Sequence, residues 1–302
     1  MRVGVTGSSG LIGSALVDAL RARGDVVVRF VRPDSPPSVD QVIRWDPLRT
    51  TLDEKDLGRV GGFDAVVHLA GAGVGDKRWS QSRKQEILTS RTMSTNLLLE
   101  ALRATANGTP MVASGSAIGY YGSRGDDEID ENSSRGQDFL AAVCDQWEST
   151  ANEARRLGAI VANLRTGIVM TKEGGALQRQ LPLFRLGAGG QLSTGRQWLS
   201  PISLEDEVRA ILWVVDHRLE GPVNLVAPNP VRNRDFTKSL GALLRRPTFA
   251  RVPAFALRVV LGTELANDVV LSSQRVLPNY LIKSGFSFLH GDTTSLLSAA
   301  LN

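Results

Sequence analysis

The chain has 302 residues, enough for one large α/β domain with a smaller second lobe and a full core without covalent staples. Its 42% hydrophobic and 22% charged residues, with a net charge of +4 spread along the chain, fit a globular protein and give no ground for a nucleic-acid partner. A single cysteine, Cys144, excludes an internal disulfide and a cysteine-based zinc site, and three histidines far apart in sequence make no ligand pattern, so no metal centre is expected. The N-terminus lacks the apolar core and cleavage site of a secretory signal, and no window approaches about eighteen consecutive apolar residues. A cytoplasmic protein with no membrane partner is expected.

Residues 2–6 have an apolar strand pattern, and Thr-Gly-Ser-Ser-Gly-Leu-Ile-Gly at 6–13 leads directly into a helix-patterned run over 11–23. The spacing of Gly7, Gly10 and Gly13 lets the backbone turn tightly, approach a pyrophosphate and pack the new helix against its strand. Ser9, Leu11 and Ile12 complete this loop, whose helical amides and positive dipole end would face the anion. A glycine triplet by itself also marks an ordinary turn; its place between a strand and a helix, with a second strand-like run at 25–31, favours the dinucleotide reading.

Further strands are expected at 26–31, 41–45, 65–69, 111–114 and 160–164, with helices at 81–106 and 139–157. This alternation gives a parallel sheet with helices on both faces, a dinucleotide-binding domain over residues 1–165. From Thr166 the texture changes to glycine clusters at 174–175 and 187–190, with helices expected at 204–217 and 234–244 and a strand near 222–226. Ser203 followed by Asp206 resembles a capping box. Residues 166–302 are expected to form the smaller substrate lobe.

The end of the second strand separates NAD from NADP. A carboxylate there would hold two ribose hydroxyls, whereas an arginine accommodates a 2′-phosphate through parallel charge-assisted bonds. The strand ends in Arg32, with no acid until Asp34, so NADP is the expected cofactor, while Asp34 could still reach a ribose hydroxyl. Leu69, Ala70 and Gly71 follow the fourth strand and leave room for a ligand at the sheet edge; His68 reads as a packed core histidine. Lys77, Arg78 and Trp79 form a basic-aromatic cluster in the next loop.

Together with Ser114-Gly115-Ser116-Ala117-Ile118-Gly119-Tyr120-Tyr121-Gly122, these residues resemble the extended short-chain dehydrogenase/reductases, the NAD-dependent epimerase/dehydratase superfamily. Lys77-Arg78-Trp79, Ser90-Arg91, Gln146-Trp147-Glu148, Leu164 to Val169, Gly174 to Leu177, Arg275 to Pro278 and Gly285 to Phe288 are similar to an atypical branch of unknown substrate with an old cell-division-inhibitor label. The resemblance covers essentially the whole chain. It implies a Rossmann-type doubly wound parallel sheet with a smaller C-terminal lobe, a C-terminal module over about 245–295, and NADP binding. It implies that Gly7 to Gly13 bind the pyrophosphate and Arg32 the 2′-phosphate, that Leu69 and Ala70 line the adenine-ribose side, and that Glu86 and Arg91 lie near the cofactor. A homodimer through the long first-domain helices is common in the superfamily.

The departure is catalytic. The superfamily's Tyr-x-x-x-Lys pair, in which the lysine and the nicotinamide ribose lower the tyrosine pKa, falls at about Leu140 and Cys144, and neither can do that work. Tyr121 or Tyr120 is a displaced candidate acid, and Ser116 matches the family serine by position, with Ser114 an alternative. Two readings follow: an NADP-dependent oxidoreductase or epimerase-like enzyme acting on a small polar substrate such as a nucleotide sugar, or a non-catalytic NADP(H)-binding sensor or scaffold.

Overall fold

The computed structural model describes residues 1–105 and 108–302. At its centre lies an eight-stranded sheet in the order Gly221–Leu225, Ile160–Thr166, Met111–Ala117, Ala65–His68, Arg2–Thr6, Val26–Val31, Gln41–Asp46, Thr51–Leu52. All neighbours pair in parallel except the last two, which form an antiparallel edge. A parallel sheet covered on both faces needs strands apolar on both sides, and Val3, Val5, Val66, Val67, Ala113 and Leu164 are all wholly buried. The strand order reverses between Arg2–Thr6 and Ala65–His68, which opens a crevice at their carboxyl ends.

The expected strands are all present. The third central strand runs on to Ala117 and the next to Thr166, because both stay paired along their whole length, up to Ala117 opposite Thr166. The first helix is Leu11–Ala22 and the long helix is Gln81–Ala104, whose expected last residue, Ala106, lies outside the described residues. The helix expected over 139–157 divides into Phe139–Asn152 and a tighter 3₁₀ turn, Glu153–Leu157, closed by Gly158 at φ 80°.

The sheet takes material from both sides of residue 165. Strand Gly221–Leu225 pairs with Ile160–Thr166, and helix Leu204–Asp216 packs beside helix Leu11–Ala22 on one face. This satisfies the backbone groups that an edge strand at Ile160–Thr166 would leave open. A separate core of Met170, Leu177, Phe184, Phe236, Leu240 and Leu297 holds the remainder, where Gly190–Leu192 pairs with Ala250–Val252.

Helix Leu204–Asp216 starts at Ser203, whose Oγ accepts from the Asp206 amide at 3.0 Å. One residue further, Glu207 points into the sheet and is completely buried. Its Oε1 accepts from Thr166 Oγ1 at 2.8 Å, and its Oε2 has no hydrogen-bond partner among the described residues. Burial pushes this carboxyl up from 4.5 to about 8. The folded state therefore keeps a proton that the unfolded state has released, so the contribution is complete below about pH 4.5 and is lost as the pH rises through about 8. Glu207→Gln is expected to remove up to about 1.4 kcal/mol per pH unit of this slope. Urea unfolding across that window measures it; an unchanged slope would show that Glu207 is ionised in the fold.

Candidate functional site

The glycine loop sits at the crevice. Gly7 has φ 65°, a conformation that suits glycine, and a Cβ there would come within 2.8 Å of the Leu69 carbonyl carbon and oxygen. A Cβ on Gly13 would lie 2.2 Å from the Gly7 carbonyl oxygen, so this glycine is what allows the helix to pack against its own loop. Gly10 begins the helix with no side-chain cap, which leaves the first-turn amides open toward the crevice. Ser9 is exposed, Ile12 is partly buried, and Leu11 lies against Gly174 of the second lobe. A narrow cradle bounded by backbone and floored by amides suits a pyrophosphate.

A buried hydrogen-bond chain fixes the opposite wall. Thr6 Oγ1 accepts from the amides of Leu69 and Ala70 at 3.0 and 3.2 Å, so its own proton goes to His68 Nδ1 at 2.7 Å. His68 Nε2 then carries the ring proton and donates to Thr95 Oγ1 at 2.9 Å, and Thr95 donates to the Arg91 carbonyl at 2.7 Å. Burial, with Arg91 nearby, pulls the His68 pKa down to about 3, so the ring is neutral. His68 is a structural clamp, as a histidine in an apolar strand suggests.

Arg32 lies exposed just beyond the second strand, and its side chain has no ion pair or hydrogen bond among the described residues. Sequence reading missed its neighbour Arg29, whose Nε donates to Ser8 Oγ of the glycine loop at 3.1 Å. An arginine within an otherwise apolar strand, pairing in register with Val5, was the available signal. Arg29 also lies 3.8 Å from Asp40, and its strand flanks Arg2–Thr6 on the side away from Ala65–His68, the strand that leads to Gly71. Glu86 is taken up elsewhere: it accepts from Arg83 Nη1 at 2.7 Å, and Arg83 also reaches the Gly73 carbonyl. Arg91 lies against Gly71, where a Cβ would lie 3.2 Å from its Cγ and Cζ. In the loop that follows, Trp79 donates to the Val74 carbonyl at 2.9 Å and packs edge-on against Phe139, while Lys77 and Arg78 are exposed.

Ser116 and Tyr121, the candidate catalytic residues, are both engaged in buried hydrogen bonds. Ser116 Oγ donates to Glu148 Oε1 at 2.7 Å, and Arg165 holds the same carboxylate through two bonds of 2.8 and 2.9 Å. Tyr121 is completely buried; its hydroxyl donates to Asn224 Oδ1 at 2.6 Å and accepts from Arg165 Nη1 at 3.0 Å. Burial raises its pKa above the usual phenol value, which suits an anchor rather than a proton exchanger. Ser114, the alternative serine, is wholly buried, with only a 3.4 Å contact to a neighbouring carbonyl. Tyr120 is only partly buried, and the Arg165 guanidinium lies 3.6 Å from its ring centre. Leu140 and Cys144 pack beside Gly119, and burial pushes the thiol up to about 11.

Beyond Tyr121 the chain enters a second cavity of about 610 Å³, lined by Arg196, Arg232, Arg234, Arg258, Gln197 and Asp126 among others. Arg232 pairs with Asp126 at 2.8 Å and stacks on Trp198. The cavity is tied to the sheet edge by Gln274, which donates to the carbonyls of Ile118 and Gly122 at 2.8 and 3.1 Å. Its lining carries four arginines and one acid, Asp126, and Arg234 also lies 3.5 Å from Asp235.

Over residues 3–142 the chain matches the model of the NAD dependent epimerase/dehydratase family, and over 252–300 that of a domain of unknown function, DUF1731. It is 42% identical over 299 residues to an epimerase family protein of Mycobacterium leprae, spanning 99% of this chain and 95% of that one. The chain belongs to this epimerase family. A chloroplastic member from Arabidopsis thaliana is 37% identical over 305 residues, spanning 100% of this chain and 87% of the relative. The crystal structure of human epimerase family protein SDR39U1 with NADPH superposes with a TM-score of 0.87 at 30% identity, covering 99% of both chains. Among the described residues no helix is long and apolar enough to cross a membrane.

In this member of the epimerase family, Tyr121→Phe is expected to cost about 1–3 kcal/mol of stability, because it leaves Asn224 and Arg165 short of a buried partner. Chemical denaturation measures it. A loss of turnover at unchanged stability would support a catalytic role for Tyr121 instead.

Proposed function

We propose that the protein is an NADP(H)-dependent oxidoreductase or epimerase-like enzyme acting on a small anionic substrate. The observation that carries this reading is the glycine cradle, closed by backbone at Gly7 and Gly13 and flanked by Arg29 and Arg32. The cradle amides would hold the pyrophosphate, and the two arginines the 2′-phosphate. The human relative's structure with NADPH supports the same cofactor. When bound, the nicotinamide supplies or accepts a hydride.

The chain's own residues supply the rest. The arginine-lined cavity would bind a substrate phosphate or carboxylate, which makes sugar nucleotides and phosphorylated carbonyl compounds the classes to try. With Tyr121 engaged and Leu140 and Cys144 unable to exchange protons, the proton-transfer role falls to Tyr120, beside Arg165. The same substitutions favour the second reading, a non-catalytic NADP(H) sensor on the family fold.

Calorimetric titration with NADPH, NADP⁺, NADH and NAD⁺ tests the cofactor assignment. Arg32→Ala and Arg29→Ala are each expected to weaken the phosphorylated forms by about tenfold or more, a loss of about 1.4 kcal/mol, and to leave the others within about twofold. Equal losses for all four would remove the 2′-phosphate assignment. A turnover screen of anionic carbonyl and sugar-nucleotide substrates separates the two readings: tight NADPH binding with no turnover supports the sensor, and turnover lost in Tyr120→Phe supports the enzyme.

A further inference from the structure

Arg91 carries a charge that no acid answers among the described residues. Its Nη1 donates to the carbonyls of Ile87 and Ala72 at 2.8 and 3.1 Å, and its Cζ lies 4.9 Å from the ring centre of Trp147. It takes part in no ion pair there. The groups around it do not neutralise it: Arg83 is bound to Glu86 and is itself a cation, Glu148 is taken by Arg165, the Cys144 thiol is pushed up to about 11, and His68 is neutral. Burial lowers the Arg91 pKa, the cost of keeping a guanidinium there without a carboxylate.

Its position gives that cost a use. If Arg29 and Arg32 held the 2′-phosphate, the adenosine half of a dinucleotide would belong to the side of strands Arg2–Thr6 and Val26–Val31. The nicotinamide half would then belong to the other side of the reversal in strand order, toward Ala65–His68 and Met111–Ala117. Arg91 stands on that second side, against Gly71 and close to Cys144, on the helix beside the one that lacks the lysine.

We propose that Arg91 is the fixed cation of the nicotinamide subsite and that it poises the protein for the reduced cofactor, selecting NADPH over NADP⁺. The oxidised ring bears a positive charge and the reduced ring bears none, while the phosphates of the two forms are alike. A guanidinium within about 8 Å, screened by an effective dielectric constant of about 20, repels the oxidised ring enough to shift the affinity ratio by roughly tenfold or more. The resting protein would then be charged with reductant, and the substrate class would be the oxidised partner, a carbonyl or imine that accepts the hydride. This inference rests on the cofactor reading above and sharpens it.

The test is the ratio of dissociation constants for NADPH and NADP⁺ on the full chain, by calorimetry and by the fluorescence of bound NADPH, in wild type, Arg91→Gln and Arg91→Lys. Wild type is expected to favour NADPH by about tenfold or more. Arg91→Gln is expected to bring the ratio within about threefold of unity, chiefly by tightening NADP⁺, and Arg91→Lys to retain the preference. A purely structural role would weaken both forms alike and leave the ratio unchanged, which overturns the proposal. So does a wild-type ratio near unity, which decides the matter even if Arg91→Gln fails to fold. If wild type binds neither form, the cofactor reading itself falls; binding of both with an unmoved ratio sinks only the role of Arg91.

Discussion

The geometry of the crevice depends on one neutral imidazole. His68 takes a proton from Thr6 on the first strand and gives one to Thr95 on the long helix, so a single ring sets the spacing of two adjacent strands and a helix. The two amides received by Thr6 hold Leu69 and Ala70 against the glycine loop, where the absence of a Cβ at Gly7 lets them approach. The proton direction has one solution because Thr6 Oγ1 already accepts two amide protons, and a protonated ring would set a donor against a donor. Burial enforces the same state through its effect on the pKa. Loop, wall and helix are thereby prepositioned for a ligand.

A second network engages Ser116 and Tyr121, the residues that the sequence offers as catalytic candidates. Glu148 and Arg165 form a buried two-bond ion pair, and each brings further partners: Ser116 on the carboxylate, and Tyr121 and the face of Tyr120 on the guanidinium. A buried pair is tolerated when its remaining donors and acceptors are met, and here a serine, a tyrosine and a backbone carbonyl meet them. Tyr121 hands the chain on to Asn224, which donates to the Leu277 carbonyl, so the network joins the sheet to the C-terminal segment. Ser116, Tyr121 and Arg165 are here committed to a network that joins the sheet to the C-terminal segment.

Much of this was legible in the sequence because it is local. Strands and helices followed from runs and periods, the glycine spacing named the loop, and the helix start at Ser203 followed from a cap that the structure contains. The partners of Tyr121 and Ser116 were not legible, since proximity to the sheet edge says where a side chain begins and not whom it meets. Tyr121 is decided by Asn224, 103 residues away, and Arg29 became visible only when its strand was laid beside the loop that carries Ser8. Glu86 and Arg91 share a helix and had the same expectation, yet one side chain turns to Arg83 and the other to Gly71.

The sequence by itself determined the alternation of elements, the glycine loop at Gly7, Gly10 and Gly13, and the absence of a Tyr-x-x-x-Lys pair, because each depends on residue types at short, fixed spacing. Tertiary structure alone decided that residues 221–225 complete the first sheet, that four arginines converge on one cavity, and that Arg91, close to Cys144, has no acid partner among the described residues. These are facts of long-range packing. Pairing energies and uncompensated charge depend on which distant segments meet, and no local pattern records that.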